Sequence, residues 1–270
     1  MTIRLAHLSD IHFGGENVEA VEAVLAAVQA LAPHLVVVTG DLTLNGLPRE
    51  FAAAKAWLAR LAQPQLVTPG NHDTPYWNLI LRTFAPFRRY DRYIGVAEGA
   101  NFEGSGVSAY AMNSARGFQA RLDWSKGAVN LARIDGIAAD MATKPHDLRV
   151  FACHHPLIDL PGMPVTGGVH RGARAAARLG EAGVDLILTG HVHNPFALAL
   201  NVGERPSYAI GAGTLSRRTR GTPPSFMAIE ADEETVNVTA LAWTGAAFET
   251  FRVWPLPRRQ RSLNPHVDGP

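Results

Sequence analysis

With 270 residues, 47% of them hydrophobic, the chain can fill one large core or two small ones, and one domain is the starting expectation. Its 25 basic and 24 acidic residues nearly cancel, which removes the global field expected of a protein that binds nucleic acid or an anionic membrane. The single cysteine, Cys153, excludes an intrachain disulfide framework and a multi-thiolate zinc site.

The opening MTIRLAHLSD reads as a buried strand and lacks the basic stretch, apolar run and cleavage site of a signal peptide. No apolar run approaches the ~20 residues that cross a bilayer, so a soluble, cytoplasmic protein without a membrane span is expected. Short β-branched runs then alternate with helical patterns. Ile3 to Leu8 is a strand, and Val18, Val21, Val24, Leu25, Val28 and Leu31 mark one face of a helix. Leu35 to Thr39 is the next strand; Pro48 opens a helix whose inner face is Phe51, Trp57, Leu58 and Leu61. Leu66 to Thr68 is the third strand.

Thr74 to Gly106 mixes aromatic, arginine and glycine residues, as a lid over a site would. Val107 to Met112 and Leu148 to Cys153 read as strands around a helix from Val129 to Met141. An alanine-rich helix from Arg171 to Ala182 leads into a strand from Val184 to Thr189. From Phe196 to Trp254 strands follow one another without a helix, which predicts an antiparallel stretch of sheet. The pattern predicts an α/β protein with mixed sheets: two packed sheets with helices outside, a four-layer α-β-β-α sandwich formed by a single domain over residues 1–254. Residues 255–270, rich in proline and arginine, read as an exposed tail or an oligomer contact.

Five short segments place metal-capable side chains immediately after strand-like runs, where the chain leaves a sheet and side chains can converge. They are Asp10-Ile11-His12, Gly40-Asp41, Gly70-Asn71-His72-Asp73, His154-His155-Pro156 and Gly190-His191-Val192-His193. Glycine stands before the ligands in three of them, as expected where backbone comes close to another group. Carboxylate, carboxamide and imidazole form an oxygen/nitrogen donor set that suits manganese, iron, zinc or cobalt. Seven donors exceed the needs of one ion, whereas two divalent ions sharing a carboxylate use them all. Each segment alone is an ordinary turn; the order and number of the set carry the signal.

In that order the segments resemble the calcineurin-like metallophosphoesterase superfamily, and the likeness spans Asp10 to His193. It implies that Asp10, His12 and His193 hold one metal, that Asn71, His154 and His191 hold the second, and that Asp41 bridges them. His154 rather than His155 is chosen because it stands two residues before Pro156, which leaves His155 a supporting or substrate-facing role. His72 is implied to face the substrate as general acid. The resemblance further implies attack on phosphorus by a hydroxide held between the ions. Asp73 reads as a helix N-cap before Thr74-Pro75, and Cys153 as packing.

The forms Gly-Asn-His-Asp and His-His-Pro resemble most the cyclic-nucleotide and glycerophosphodiester phosphodiesterase branch, so the implied substrate is a small phosphodiester. A phosphomonoesterase, a nucleotide or lipid pyrophosphatase, and a non-catalytic scaffold of the same fold are the alternatives. Asp41 is followed by Leu42 to Gly46 without the arginine typical of protein phosphatases. The basic clusters Arg217-Arg218-Thr219-Arg220 and Arg258-Arg259-Gln260-Arg261 read as solvated loop and tail, with nucleic acid not expected as partner. Arg116 is a possible phosphate contact, and a homodimer follows only by analogy with related phosphodiesterases.

Overall fold

A computed structural model of the chain describes residues 2–120, 123–144, 148–159, 169–200, 202 and 206–258. In chain order the elements are β1 (Ile3–Leu8), α1 (Val18–Leu31), β2 (Leu35–Thr39), α2 (Pro48–Leu58), β3 (Gln65–Thr68), α3 (Leu79–Phe84), α4 (Arg88–Tyr93), β4 (Asn101–Gly104) and β5 (Val107–Ala111). They continue as α5 (Leu131–Ala142), β6 (Leu148–Ala152), α6 (Gly172–Glu181), β7 (Leu186–Thr189), β8 (Phe196–Leu200), β9 (Ser207–Gly211), β10 (Ser225–Ala231), β11 (Thr235–Trp243) and β12 (Phe248–Pro257).

Local chemistry sets several of these boundaries. Asn17 accepts from Ala20 N and starts α1, and Asn130 does the same for α5 through Ala132 N. Pro48 sits in the first turn of α2, where its missing N–H costs nothing, and Glu50 reaches back to Leu47 N.

The strands form two six-stranded sheets, ordered β12-β11-β10-β1-β2-β3 and β4-β5-β6-β7-β9-β8. Ile3, Leu5, Leu35, Val37 and Leu66 of the first face Val107, Val150, Leu186, Leu188 and Ile210 of the second in one shared core. The outer face of the first sheet, Leu8, Val36 and Val38, is covered by Val21, Val24 and Val28 of α1 and Phe51 and Trp57 of α2. Ile134 and Met141 of α5 and Ala175 and Leu179 of α6 cover Phe151 and Ile187 on the other side. This is the expected four-layer α-β-β-α sandwich.

Three details differ from the sequence reading. The strands after His193 do not form one antiparallel stretch: β9 pairs parallel with β7, while β10 pairs antiparallel with β1 in the other sheet and β11 and β12 follow it, each antiparallel to the strand before. Alternating apolar residues give no sign of which sheet a strand joins. β12 continues past Trp254 to Pro257; residues 259–270, with Arg259 and Arg261, lie outside the described residues. The segment 74–106 also divides. Tyr90 and Tyr93 of α4 pack on Phe51, and β4 pairs with β5, whereas Trp77, Ile80 and Phe84 around α3 stay exposed. Among the described residues no helix is long and apolar enough to cross a membrane.

β1, β2 and β3 are parallel to one another, as are β5, β6 and β7. Chain segments leaving the C-terminal ends of both triplets therefore meet at one edge of the sandwich.

Candidate metal centre

All seven expected ligands meet at that edge and all are buried. The backbone is strained there. Among the described residues eight non-glycine positions have positive φ, and five of them are Asp10, His12, Asp41, His191 and His193, at φ between 50° and 69°. Left-handed backbone disfavours residues with a Cβ and persists where the surroundings over-determine it, most often at functional sites. Main-chain bonds supply that constraint, including Asp10 N to Gly40 O and His12 N to Asp41 O. The glycines before the ligands serve close approach: a Cβ on Gly190 would overlap Ser9 Oγ and Asp10 Oδ2, and one on Gly70 would overlap Asp41 Oδ1.

Imidazole orientation follows a single rule. His12 Nδ1 faces Thr43 O at 3.3 Å, His154 Nδ1 faces Thr39 O at 2.7 Å and His193 Nδ1 faces Arg218 O at 2.7 Å. A carbonyl can only accept, so each Nδ1 donates and each Nε2 points inward, the orientation metal-binding histidines use.

The inward atoms crowd together. Around Asp10 Oδ1 stand His193 Nε2 at 3.1 Å and His12 Nε2 at 3.7 Å, and the two nitrogens are 3.3 Å apart. Around Asp41 Oδ2 stand His154 Nε2 at 3.3 Å and His12 Nε2 at 3.7 Å, with Asn71 Oδ1 3.1 Å from His154 Nε2. Separations near 3 Å are what neighbouring ligands show around an ion bonded at ~2.0–2.2 Å. Asp10 Oδ1 and His191 Nε2 are buried without any hydrogen-bond partner, an arrangement costly in a protein interior and relieved by metal. The donors gather in groups that could hold metal, among them Asp10, His12 and His193, then Asp10, Asp41 and His154, and His154, His155 and His191.

The electrostatics agree. Burial drives the pKa of His12 and of His191 down to about 3, keeping both neutral and able to ligate. Burial opposes charge on His154 too, but Asp41 overcomes it and raises His154 to about 9. Burial likewise opposes ionisation of Asp10 and Asp41, yet His193 for the former and His154 for the latter hold both carboxyls below the usual range. Two ionised carboxylates in a dry site call for positive charge.

His155 is brought to the cluster with both nitrogens engaged. Nε2 faces Ser125 O at 2.7 Å and must be the donor, so Nδ1 accepts from Ser114 Oγ at 2.8 Å. It supports the site from the side. His72 stands over the ligands, its ring 4.8 Å from that of His12, with Nδ1 2.6 Å from Leu44 O. Burial pushes the Cys153 thiol up to about 12, which leaves it an unreactive filler. Arg116 donates to Ala115 O and lines a cavity of about 320 Å³ with Phe118 and His170.

Two residues stand outside the set read from sequence. Asp73 is not the N-cap of α3, which begins at Leu79 and is capped by Asn78; it closes the single 3-10 turn Asn71–Asp73 by accepting from Gly70 N. Its carboxylate accepts from Leu42 N, Thr43 N, Thr43 Oγ1 and Gly70 N and thereby joins two ligand loops. Burial, then Asp41, pushes it up to about 7 while these donors favour its ionised form. Its place in a turn directly after a ligand was the only available signal. Arg218, read as solvated, gives its carbonyl to His193 and its guanidinium to His72 Nε2 at 3.0 Å.

The family model of calcineurin-like phosphoesterase matches residues 3–195 of this chain. The chain belongs to that family. Two curated relatives are a glycerophosphodiester phosphodiesterase of Enterobacter lignolyticus, 40% identical over 26% of this chain and 29% of that one, and a probable cyclic nucleotide phosphodiesterase of Rhodococcus erythropolis, 27% identical over 70% and 64%. The chain thus spans about a third of the first relative's length. A purple acid phosphatase of yellow lupin shares the fold at a TM-score of 0.62 and 15% identity, over 97% of this chain and 55% of that one.

Proposed function

We propose that this protein is a metal-dependent phosphoester hydrolase acting on small phosphodiesters, such as cyclic nucleotides or glycerophosphodiesters. The observation that carries the reading is the double set of inward, buried donors that share Asp41 Oδ2. Such a set suits an in-line displacement at phosphorus, in which attacking and leaving oxygens both need charge stabilisation. The names of the two relatives favour a diester over a monoester.

In this reading Asp10, His12 and His193 hold one ion, Asn71, His154 and His191 the other, and Asp41 both. When bound, the ions supply Lewis-acid charge at the phosphoryl oxygens and bring the pKa of coordinated water to about 7. The protein's own work is to orient. Carbonyls of Thr39, Thr43 and Arg218 fix the ring planes, and Asp73 fixes the loops that carry Asp41 and Asn71. His72, with Nδ1 donating to Leu44 O, directs Nε2 over the ligands, and once Nε2 has taken a proton from solvent it serves as general acid to the leaving oxygen.

The test is hydrolysis of bis(p-nitrophenyl) phosphate against p-nitrophenyl phosphate by metal-stripped protein reconstituted with manganese, iron, zinc or cobalt. Faster metal-restored cleavage of the diester is expected. A preference for the monoester makes the protein a phosphatase, and no cleavage with any metal makes it a scaffold.

A further inference from the structure

The loop after β9 carries three arginines, Arg217, Arg218 and Arg220, whose guanidinium groups the metal centre does not use. Its main chain is tightly fixed: Thr214 Oγ1 donates to Asp10 O, Ser216 N to Thr214 Oγ1, Arg217 N to Gly15 O and Arg218 N to Ser216 Oγ. The same loop pairs with the segment after β1 through Glu16 and Ser216. Arg218 is consequently held at the backbone, by His193. Its guanidinium is exposed and rests on His72 Nε2, next to the ring that stands over the ligands. Arg220, half-buried, is affected first by burial and then by the like charge of Arg218, with Asp10 favouring its charge. No carboxylate lies within ion-pair distance of either arginine among the described residues.

An imidazole nitrogen is a weaker partner for a guanidinium than the oxygens of a phosphate, which its planar fork matches. We propose that Arg218, assisted by Arg220, is the substrate-phosphate clamp of this site: its guanidinium leaves His72 Nε2 and binds a non-bridging oxygen of the ester. That movement also frees His72 Nε2 to face the leaving oxygen. The proposal rests on the phosphoesterase reading above and names the residues that hold its substrate.

The experiment compares Arg218→Gln, Arg218→Lys, Arg220→Gln and the control Arg217→Gln, each loaded with zinc and checked for metal content and melting temperature. Binding of inorganic phosphate is measured by calorimetry, alongside kcat and KM for bis(p-nitrophenyl) phosphate. Arg218→Gln is expected to weaken phosphate and raise KM by about tenfold or more, the scale of one lost charge-assisted bond. Arg220→Gln should give a smaller shift in the same direction, Arg218→Lys a partial rescue and Arg217→Gln no change. A lower kcat with unchanged KM and unchanged phosphate affinity in Arg218→Gln would overturn the clamp and leave Arg218 as a residue that positions His72. If the wild type cleaves no ester, the functional reading fails; phosphate calorimetry on wild type and Arg218→Gln still decides the clamp.

Discussion

The ligand loops and the loop from Thr214 to Arg220 sit side by side and are built on opposite principles. In the first, the side chains that matter are buried, the backbone is left-handed at five ligands, and every outward imidazole nitrogen that the hydrogen bonds define meets a carbonyl. In the second, the backbone is locked while Arg218 projects into solvent. The contrast separates two tasks. Holding cations against two buried carboxylates demands rigidity, whereas meeting a substrate that arrives from water demands a side chain able to change partner.

The largest effect that would break this division is at the shared carboxylate. Asp41→Ala should lose both ions, read by elemental analysis of dialysed protein, and lower turnover by about 10⁴-fold or more, since the residue serves both halves of the site. One ion retained with full activity would remove the bridge. His72→Ala should keep its metal and lose about 10² to 10⁴ in kcat, the usual share of a general acid. Unchanged activity there would end that assignment.

Asp73→Ala tests the supporting layer. It leaves donors of Leu42, Thr43 and Gly70 without an acceptor, and a stability loss on the order of 3 kcal/mol is expected in denaturant titration, with weaker metal retention. A variant as stable as the wild type would make Asp73 a bystander.

The smallest effect is the pH dependence of metal-free protein. Burial holds His7, His12 and His191 at about 3, against 6.5 for an ordinary histidine, so below pH 6.5 the unfolded chain gains protons that the fold refuses. Stability therefore falls as acid is added. His154, raised to about 9 by Asp41 despite its burial, keeps between pH 6.5 and 9 a proton that the unfolded chain has released. That contribution is complete below pH 6.5 and disappears as pH rises through 9. The melting temperature should peak near pH 6.5, and bound metal should flatten the alkaline side. A steady rise from pH 6.5 to 9 in the metal-free protein would contradict this.

The ligand segments were legible because three constraints coincide in them: a donor-bearing side chain, a strand end before it, and in three cases a glycine that a close approach requires, as at Gly70 and Gly190. Helices were legible from apolar spacing, as along Val18–Leu31, and from Pro48 in the first turn of α2. What escaped was whatever depends on contacts distant in sequence. Nothing local tells that β9 slips in beside β7, or that Arg218 lies next to His72, 146 residues earlier. A carboxylate after a turn looks the same whether it caps a helix or, like Asp73, ties Thr43 to Gly70.

The most direct test of the central claim is the metal stoichiometry of the dialysed protein together with its diesterase activity. About two divalent ions per chain, with cleavage of bis(p-nitrophenyl) phosphate that chelation abolishes and readdition restores, is the predicted result. A protein that binds no divalent ion, or that cleaves the diester equally well after complete chelation, would contradict it.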